Sequence, residues 1–436
     1  VVPGLYKIYD EILVNACDQC VRLKSIPEAA RVSTIKITIT DTEISVMNDG
    51  DGIDIVKHKE HQVYIPELIF GHLLTSTNYN KDEEKITGGK NGYGAKLTNI
   101  YSTEFTVETV DAKTKKKYIQ TWSKNMSEKT APKICKSVAK PYTKITFKPD
   151  FKRFGMKCLD NDMIGLMKKR ALDMTACTDA SVDVYLNGDK LNCKEFEKYV
   201  NYYIGTKTEK QRVHQKVSDR WEVIVATSED DKLEQVSFVN GVYTFKGGKH
   251  IEHVSNHIAK KLQQYIATKG YKKKKHNLKI PHIKDNMWIF LKSIIVNPSF
   301  DSQTKEFLTT PSAKFGSKFE VDDKFIQSLL KIGIVEKALK LSEFKENNDV
   351  SKTDGKKKST IRVPKLDDAN WAGTAKSKQC TLILTEGDSA KAFAIAGLSV
   401  IGRNKYGVFP LRGKMLNVRD CALKKASENT EINNIK

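Results

Sequence analysis

GGKNGYGAKLTNI, residues Gly88 to Ile100, sets four glycines and two lysines ahead of an apolar helix start. A stretch of this kind is a flexible loop whose backbone N–H groups, with a helix N-terminus behind them, can wrap phosphates. Gly89 and Gly94 have the separation of a P-loop, but Ala95 and Lys96 follow where the motif needs Lys and then Ser or Thr. The dinucleotide fingerprint fails too, because Leu97 stands where its last glycine belongs. The common nucleotide readings are thereby excluded, and the loop needs partners elsewhere in the chain.

Two lie upstream. On a first helix, Leu5, Ile8, Ile12 and Ala16 recur at helical spacing, so the opposite side is expected to carry polar groups. Glu11, Asn15 and Asp18 fall at i, i+4 and i+7 and share a face, where a carboxylate and an amide can hold a water and a metal ion beside a phosphate chain. NDGDGI (Asn48–Ile53) then follows a strand; its glycines allow a close turn under a flat ring, and Asn48 can bond the amino edge of a purine. Each feature alone is weak, since a polar helix face, a DG turn and a Gly-rich loop are common. Their order within the first 100 residues carries the argument.

Here the resemblance becomes specific. DEILVNACD, NDGDGI, LLTSTNY and GGKNGYGAK resemble successive nucleotide-binding boxes of the GHKL ATPase superfamily, in wording similar to eukaryotic type IIA topoisomerases. That resemblance implies an α+β protein: a GHKL (Bergerat) ATPase sandwich over residues 1–190, then a transducer domain of ribosomal-S5-like type over 191–344. A linker over 345–379 and the truncated start of a TOPRIM module over 380–436 complete it. It implies ATP and Mg²⁺ as cofactors, with Glu11 as general base, Asn15 holding Mg²⁺ and Asn48 reading adenine. Ser76, Thr77 and Asn78 would contact ribose and phosphates. Gly89, Lys90, Asn91, Gly92, Tyr93, Gly94, Ala95 and Lys96 would form the phosphate lid. Thr77 and Lys90 stand where relatives often carry Ser and Arg; hydroxyl and charge survive, but Lys lacks Arg's bidentate reach.

Further along, strand patterns occupy Thr34–Thr40, Ile44–Met47, Glu104–Val110 and Lys144–Lys148. Val182–Leu186 runs into Asn187-Gly188, a hairpin signal that marks the first boundary. A second unit holds strands Trp221–Thr227, Gln235–Val239 and Met287–Val296, and a helix with Ile251, Val254, Ile258, Leu262 and Ile266 on one face. NPSFDSQTKEFLT (Asn297–Thr309) contains Gln303, Thr304 and Lys305; in extended conformation Gln303 and Lys305 point the same way. In the family pattern this is the switch loop, with Lys305 reaching the γ-phosphate, stabilising transition-state charge and reporting nucleotide state. Gly241, Val242 and Tyr243 depart from the usual triplet and receive no role. KENNDVSKTDGKKKST (Lys345–Thr360) is nearly devoid of apolar residues and reads as a linker. LILTEGDSA resembles a TOPRIM opening, with Glu386 as a metal-bearing residue of an incomplete site and PLRGKMLNVR (Pro410–Arg419) as the basic segment that follows.

Among 436 residues, 74 are Lys or Arg and 53 Asp or Glu, a net +21 that favours a polyanionic partner. On charge alone DNA or RNA is the first candidate; the resemblance implies double-stranded DNA, with Lys272, Lys273, Lys274 and Lys275 in the position of a lysine-bearing loop that meets backbone phosphates without sequence readout. The eight cysteines are scattered, and the Cys17/Cys20 pair sits in a helical pattern with no second pair, so metal or redox chemistry is not expected there. No apolar run approaches the roughly 20 residues of a membrane span. The chain opens VVPGLYKIYDE without an initiator Met and reads as a piece of a longer protein. The resemblance further implies a homodimer closed by ATP, nuclear residence, and a cleavage site whose remaining Asp cluster and Tyr lie beyond Lys436. Against this stand another GHKL protein, disfavoured by the QTK and EGDSA segments together, and a basic scaffold, disfavoured by Glu11 and Lys305.

Overall fold

The computed structural model describes residues 2–26, 30–72, 86–89, 92–269, 271, 278–340, 365–412 and 435. The chain divides into two compact units. The first comprises Val1–Ser228, Leu233–Tyr265 and Met287–Ile332; the second comprises Glu229–Lys232, Ile266–Asn286 and Gly333–Lys436.

In the first unit, helix α1 (Pro3–Lys24) starts with a proline in its first turn, where the missing N–H costs nothing. The expected apolar face is buried, with Leu5, Ile8, Ile12 and Ala16 at most 5% exposed. The opposite side carries polar groups, as expected, but not all of them meet water. Lys7, Asp10 and Glu11 are buried as well, because they pair with one another and Asp10 pairs with Arg170, so that protein groups take the place of water.

Strands β1 (Thr34–Ile39), β2 (Ile44–Asp49), β3 (Ser102–Val110), β4 (Lys116–Ser123), β5 (Glu128–Lys129), β6 (Lys133–Lys136), β7 (Tyr142–Pro149), β8 (Asp183–Leu186) and β9 (Asp189–Lys190) form a nine-stranded sheet. Its order is β5-β4-β3-β7-β2-β1-β8-β9, with β6 paired to β4. Alternation along β1 and β4 puts one face inward. That face and the apolar sides of α1, helix α3 (Gly94–Ile100) and helix α4 (Asn161–Cys177) share one core, where Ile35, Phe105, Phe147, Met163 and Met167 are fully buried. Helix α2 (Ile65–Gly71) is held to α3 by Asn99 Nδ2 donating to the Phe70 carbonyl at 3.1 Å. The Asn187-Gly188 turn between β8 and β9 has positive φ at both residues, as a two-residue hairpin requires.

A five-stranded sheet follows, ordered β10-β11-β14-β12-β13: β10 (Arg212–Ser218), β11 (Trp221–Thr227), β12 (Glu234–Val239), β13 (Val242–Tyr243) and β14 (Met287–Ser293). Helix α5 (Phe196–Ile204) covers it through Phe196, Tyr199 and Val200. Residue 190 thus marks a change of sheet inside one compact unit. Two bonds join the sheets' surroundings: the Arg170 guanidinium donates to the Gly241 carbonyl at 2.7 Å, and Asn240 Nδ2 donates to the Thr87 carbonyl at 3.3 Å.

In the second unit, β15 (Thr381–Glu386) and β16 (Tyr406–Leu411) pair in parallel, connected through a helix (Gly387–Ile401). Residues 345–364 of the expected linker and 413–419 of the expected basic segment lie outside the described residues. Within residues 365–379, Asp367 exchanges backbone bonds with Val408 at 2.9 and 2.7 Å, and Ser377–Gln379 forms a 3-10 turn. No helix among the described residues is long and apolar enough to cross a membrane.

Candidate functional site

A cleft of about 860 Å³ opens in the first unit. Its walls include Glu11, Asn15 and Asp18 from α1, Asn48 at the end of β2 and Asp51 just after it, Gly88, Gly89 and Gly92 to Lys96 from the glycine stretch, and Gln303 and Lys305. Ser76, Thr77, Asn78, Lys90, Asn91 and Lys272 to Lys275 lie outside the described residues. The other residues expected at the nucleotide, apart from Thr304, are brought to this one cleft.

Helical spacing presents Asn15 exposed to the cleft and Glu11 buried below it. Glu11 Oε1 is shared by two ammonium groups: Lys7 Nζ at 3.0 Å, one helical turn back, and Lys305 Nζ at 2.8 Å, 294 residues on. Lys7 also bonds Asp10 at 2.8 Å, and Asp10 accepts from Arg170 Nε at 2.6 Å. Burial works against charge on Asp10, but Lys7 and Arg170 hold its carboxyl well below the usual carboxylate range. The glycines are required by contact: a Cβ on Gly94 would lie 2.1 Å from Glu11 Oε2, and one on Gly52 1.9 Å from the Val110 carbonyl oxygen. Asp18 accepts from the backbone N–H groups of Gly88 at 2.7 Å and Gly89 at 2.8 Å, fastening the start of the glycine loop to α1. The hard oxygen donor Asn15, beside the Glu11 carboxylate, suits a magnesium ion carried by a phosphate chain, and the closely approached glycine backbone suits the phosphates themselves.

The switch-loop segment is not extended, as its sequence suggested. Lys305 has φ of 59° and closes a turn, its N–H donating to the Ser302 carbonyl at 3.1 Å. Gln303 is therefore exposed in the cleft wall while Lys305 is buried, and Thr304 is half-buried with its hydroxyl 2.8 Å from Ser302 Oγ. Asn48 is nine-tenths buried at the end of β2, with Nδ2 donating to the carbonyl of its neighbour Asp49 at 2.8 Å.

Several residues had no role in the sequence reading. Asp18 was placed on the face, but its grip on Gly88 and Gly89 depends on a fold that returns residue 88 to α1. Asp51 lies against Gln19 and Arg22 at 2.6 and 3.2 Å. Asn240-Gly241 forms a tight turn between β12 and β13 with φ of 49° and 77°. A Cβ at Gly241 would meet Cys17 Sγ at 2.7 Å, which gives the departed triplet a packing reason. Cys17 is buried beside that turn, and burial pushes its thiol and that of Cys20 upward, Cys20 to about 12. Glu386 is exposed at the C-terminal end of β15, in the second unit.

The fold and this cleft define a GHKL-type ATPase domain followed by a transducer-type domain, in an α+β architecture. The DNA gyrase B family matches residues 186–358. Over its whole length the chain is 50% identical to DNA topoisomerase 2 of Pisum sativum and 49% identical to that of Drosophila melanogaster, spanning 30% of each. It is similar to the solved ATPase region of Saccharomyces cerevisiae topoisomerase II, with TM-score 0.70 and 44% identity over 78% of this chain and 86% of that one. The ATPase and transducer domains of DNA topoisomerase II from Balamuthia mandrillaris give TM-score 0.72 and 43% identity, over 79% and 87%. The chain belongs to the eukaryotic-type DNA topoisomerase II family, of which it carries the ATPase and transducer region.

Proposed function

We propose that this chain binds and hydrolyses ATP as the gate of a type II DNA topoisomerase, which passes one duplex through a transient double-strand break in another. The observation that carries the reading is the 2.8 Å bond between Lys305 Nζ and Glu11 Oε1, which joins the two sequence-distant residues expected at one phosphate chain. Glu11 takes a proton from the attacking water, a general-base task. Asn15 holds the magnesium ion, whose chemistry is to offset phosphate charge. Asn48 reads the adenine edge. Ser76, Thr77 and Asn78 meet ribose and phosphates, and Gly89 through Lys96 close over the phosphates as the lid. Gln303 and Thr304 precede Lys305 at the γ-phosphate.

An entering γ-phosphate competes with Glu11 for Lys305. Exchange of that partner frees Glu11 Oε1 on one side while Lys7, at 3.0 Å, still orients it. Lys305 then stabilises charge developing on the phosphoryl group and holds nucleotide state in its position. Duplex DNA contact through Lys272 to Lys275, a homodimer closed by ATP, a metal role for Glu386 and nuclear residence belong to the same reading. Lys305→Ala is expected to lower ATP turnover and to abolish compaction of the chain on binding a non-hydrolysable ATP analogue, followed by solution scattering. A charge-assisted hydrogen bond is worth about 1.5–3 kcal/mol, enough to move a near-balanced two-state element about tenfold or more. Normal turnover with normal compaction leaves the switch reading without support.

A further inference from the structure

Between β2 and α2 the chain makes a short turn whose side chains the nucleotide cleft does not use. His58, Glu60 and His61 fall there at i, i+2 and i+3, and one ligand atom from each lies within 4.8 Å of the other two. His58 is half-buried, while Glu60 and His61 are exposed. Backbone bonds close the turn beneath them. The His58 N–H donates to the Val63 carbonyl at 2.8 Å, the Gln62 N–H to the His58 carbonyl at 3.0 Å, and the Ile65 N–H to the Val56 carbonyl at 3.0 Å. Lys57 and Tyr64 form an antiparallel bridge at the base. Gln62 takes a left-handed φ of 55°, uncommon outside glycine, and its Nε2 donates to the Lys59 carbonyl at 2.6 Å. Three donor side chains therefore stand on a backbone that is already fixed.

The donor set selects an ion. Two imidazole nitrogens and one carboxylate oxygen suit zinc, whereas magnesium and calcium take oxygen ligands. Three protein ligands with water in the fourth position are a common zinc arrangement. Iron(II) takes the same donors where open positions face a substrate, but none of the three residues lines the cleft. Ligand atoms about 2.0–2.2 Å from a tetrahedral zinc stand roughly 3.3–3.6 Å apart. Closing from 4.8 Å asks only for side-chain rotation at the exposed Glu60 and His61. His58 Nδ1 accepts long bonds from the backbone N–H groups of Glu60 at 3.3 Å and His61 at 3.4 Å, so its lone pair is turned toward the residues that carry the other two ligands. Zinc at Nδ1 displaces both bonds, and water can meet those N–H groups at an exposed turn. The bland account is a pair of packed rings in solvent, with His58 and His61 centroids 5.1 Å apart at 38°. That account predicts no metal binding.

We propose that His58, Glu60 and His61 bind one zinc ion, with water as the fourth ligand, and that the ion locks the turn leading into α2. The turn lies between Asp54 and Ile65, both of which line the cleft, and Ile69 and Phe70 of α2 line it too. On the near side the stem is anchored by the Ile55 N–H donating to Asp111 Oδ2 at 3.0 Å. Zinc therefore fixes the segment that joins two walls of the cleft without entering it. The site is separate from the magnesium ion expected with a nucleotide, and the proposal does not rest on ATP hydrolysis.

The test titrates zinc into the 436-residue chain, without nucleotide and in excess magnesium, against a chromophoric chelator. Wild type should take up zinc at this site, and Glu60→Gln and His61→Ala should each weaken that uptake about tenfold or more, since even a lost outer-shell partner costs about 10- to 100-fold. Two further measurements use the unaltered chain and stand even if a variant misfolds. Cobalt(II) in place of zinc should give visible d–d bands without the near-ultraviolet charge-transfer band of a bound thiolate, which separates this site from the free cysteines. Zinc should also slow tryptic cleavage after the exposed Lys59, which lies between the ligands, with the exposed Lys115 in another turn as internal reference. Wild-type affinity in either folded variant overturns the proposal. So does a thiolate band from the first equivalent of cobalt, or cleavage after Lys59 that zinc leaves unchanged.

Discussion

Asp18 accepts two backbone N–H bonds from Gly88 and Gly89, yet burial dominates and pushes its carboxyl from the ordinary 3.8 up to about 7. The direction has a thermodynamic consequence. Between about pH 4 and 7 the folded chain holds a proton at Asp18 that the unfolded chain has released, so this group adds stability as pH falls through about 7 toward about 4. Asp18→Asn keeps one acceptor and removes the titration. Urea midpoints measured from about pH 8 to 5, a window that brackets the folded value, should therefore show wild type gaining on the variant as pH drops. Parallel curves would contradict the burial of Asp18. At this scale the sequence carried much of the site, since Glu11 and Asn15 reach the cleft by helical spacing alone. It could not carry the grip of Asp18 on residue 88, or the left-handed turn at Lys305, because both depend on where distant backbone arrives.

At the scale of elements, α1 is the informative case. Its apolar spacing was legible, but nothing in that spacing showed that Lys7, Asp10 and Glu11 are buried. The reason is Arg170 on α4, 160 residues from Asp10, fully buried and donating to both Asp10 and the Gly241 carbonyl. No pattern within α1 announces a partner on another helix. Strands behaved differently: β1, β8 and β11 were legible because a period of two needs only neighbours in the chain. Helix α4 and strand β4 escaped notice, the first because Lys168, Lys169 and Arg170 interrupt its apolar spacing, the second because lysines open it. Arg170→Met should cost about 3–5 kcal/mol, the usual penalty for removing one partner of a buried ion pair. Adding Asp10→Asn should recover part of that loss. A shift in the urea midpoint worth under about 1 kcal/mol would show that the network does not bind α1 to α4.

For the whole molecule, two sheets share the first compact unit, and the cleft draws residues from the nine-stranded sheet's side and from the segment after β14. That sharing gives Lys305 its meaning: a residue that follows the second sheet completes a pocket built on α1. The change of sheet near 190 was legible through the Asn187-Gly188 turn. The merging of the two sheets into one unit was not, because it rests on Arg170, Asn240 and Lys305 meeting partners more than 70 residues away. The most direct test of the ATP-gate reading is Glu11→Gln, with nucleotide affinity and ATP turnover measured on the same preparation. Affinity should stay within a few-fold of wild type, because Asn15, Asn48 and the glycine loop remain, while turnover falls by about 100- to 10,000-fold. Turnover at the wild-type rate in the variant would contradict that reading.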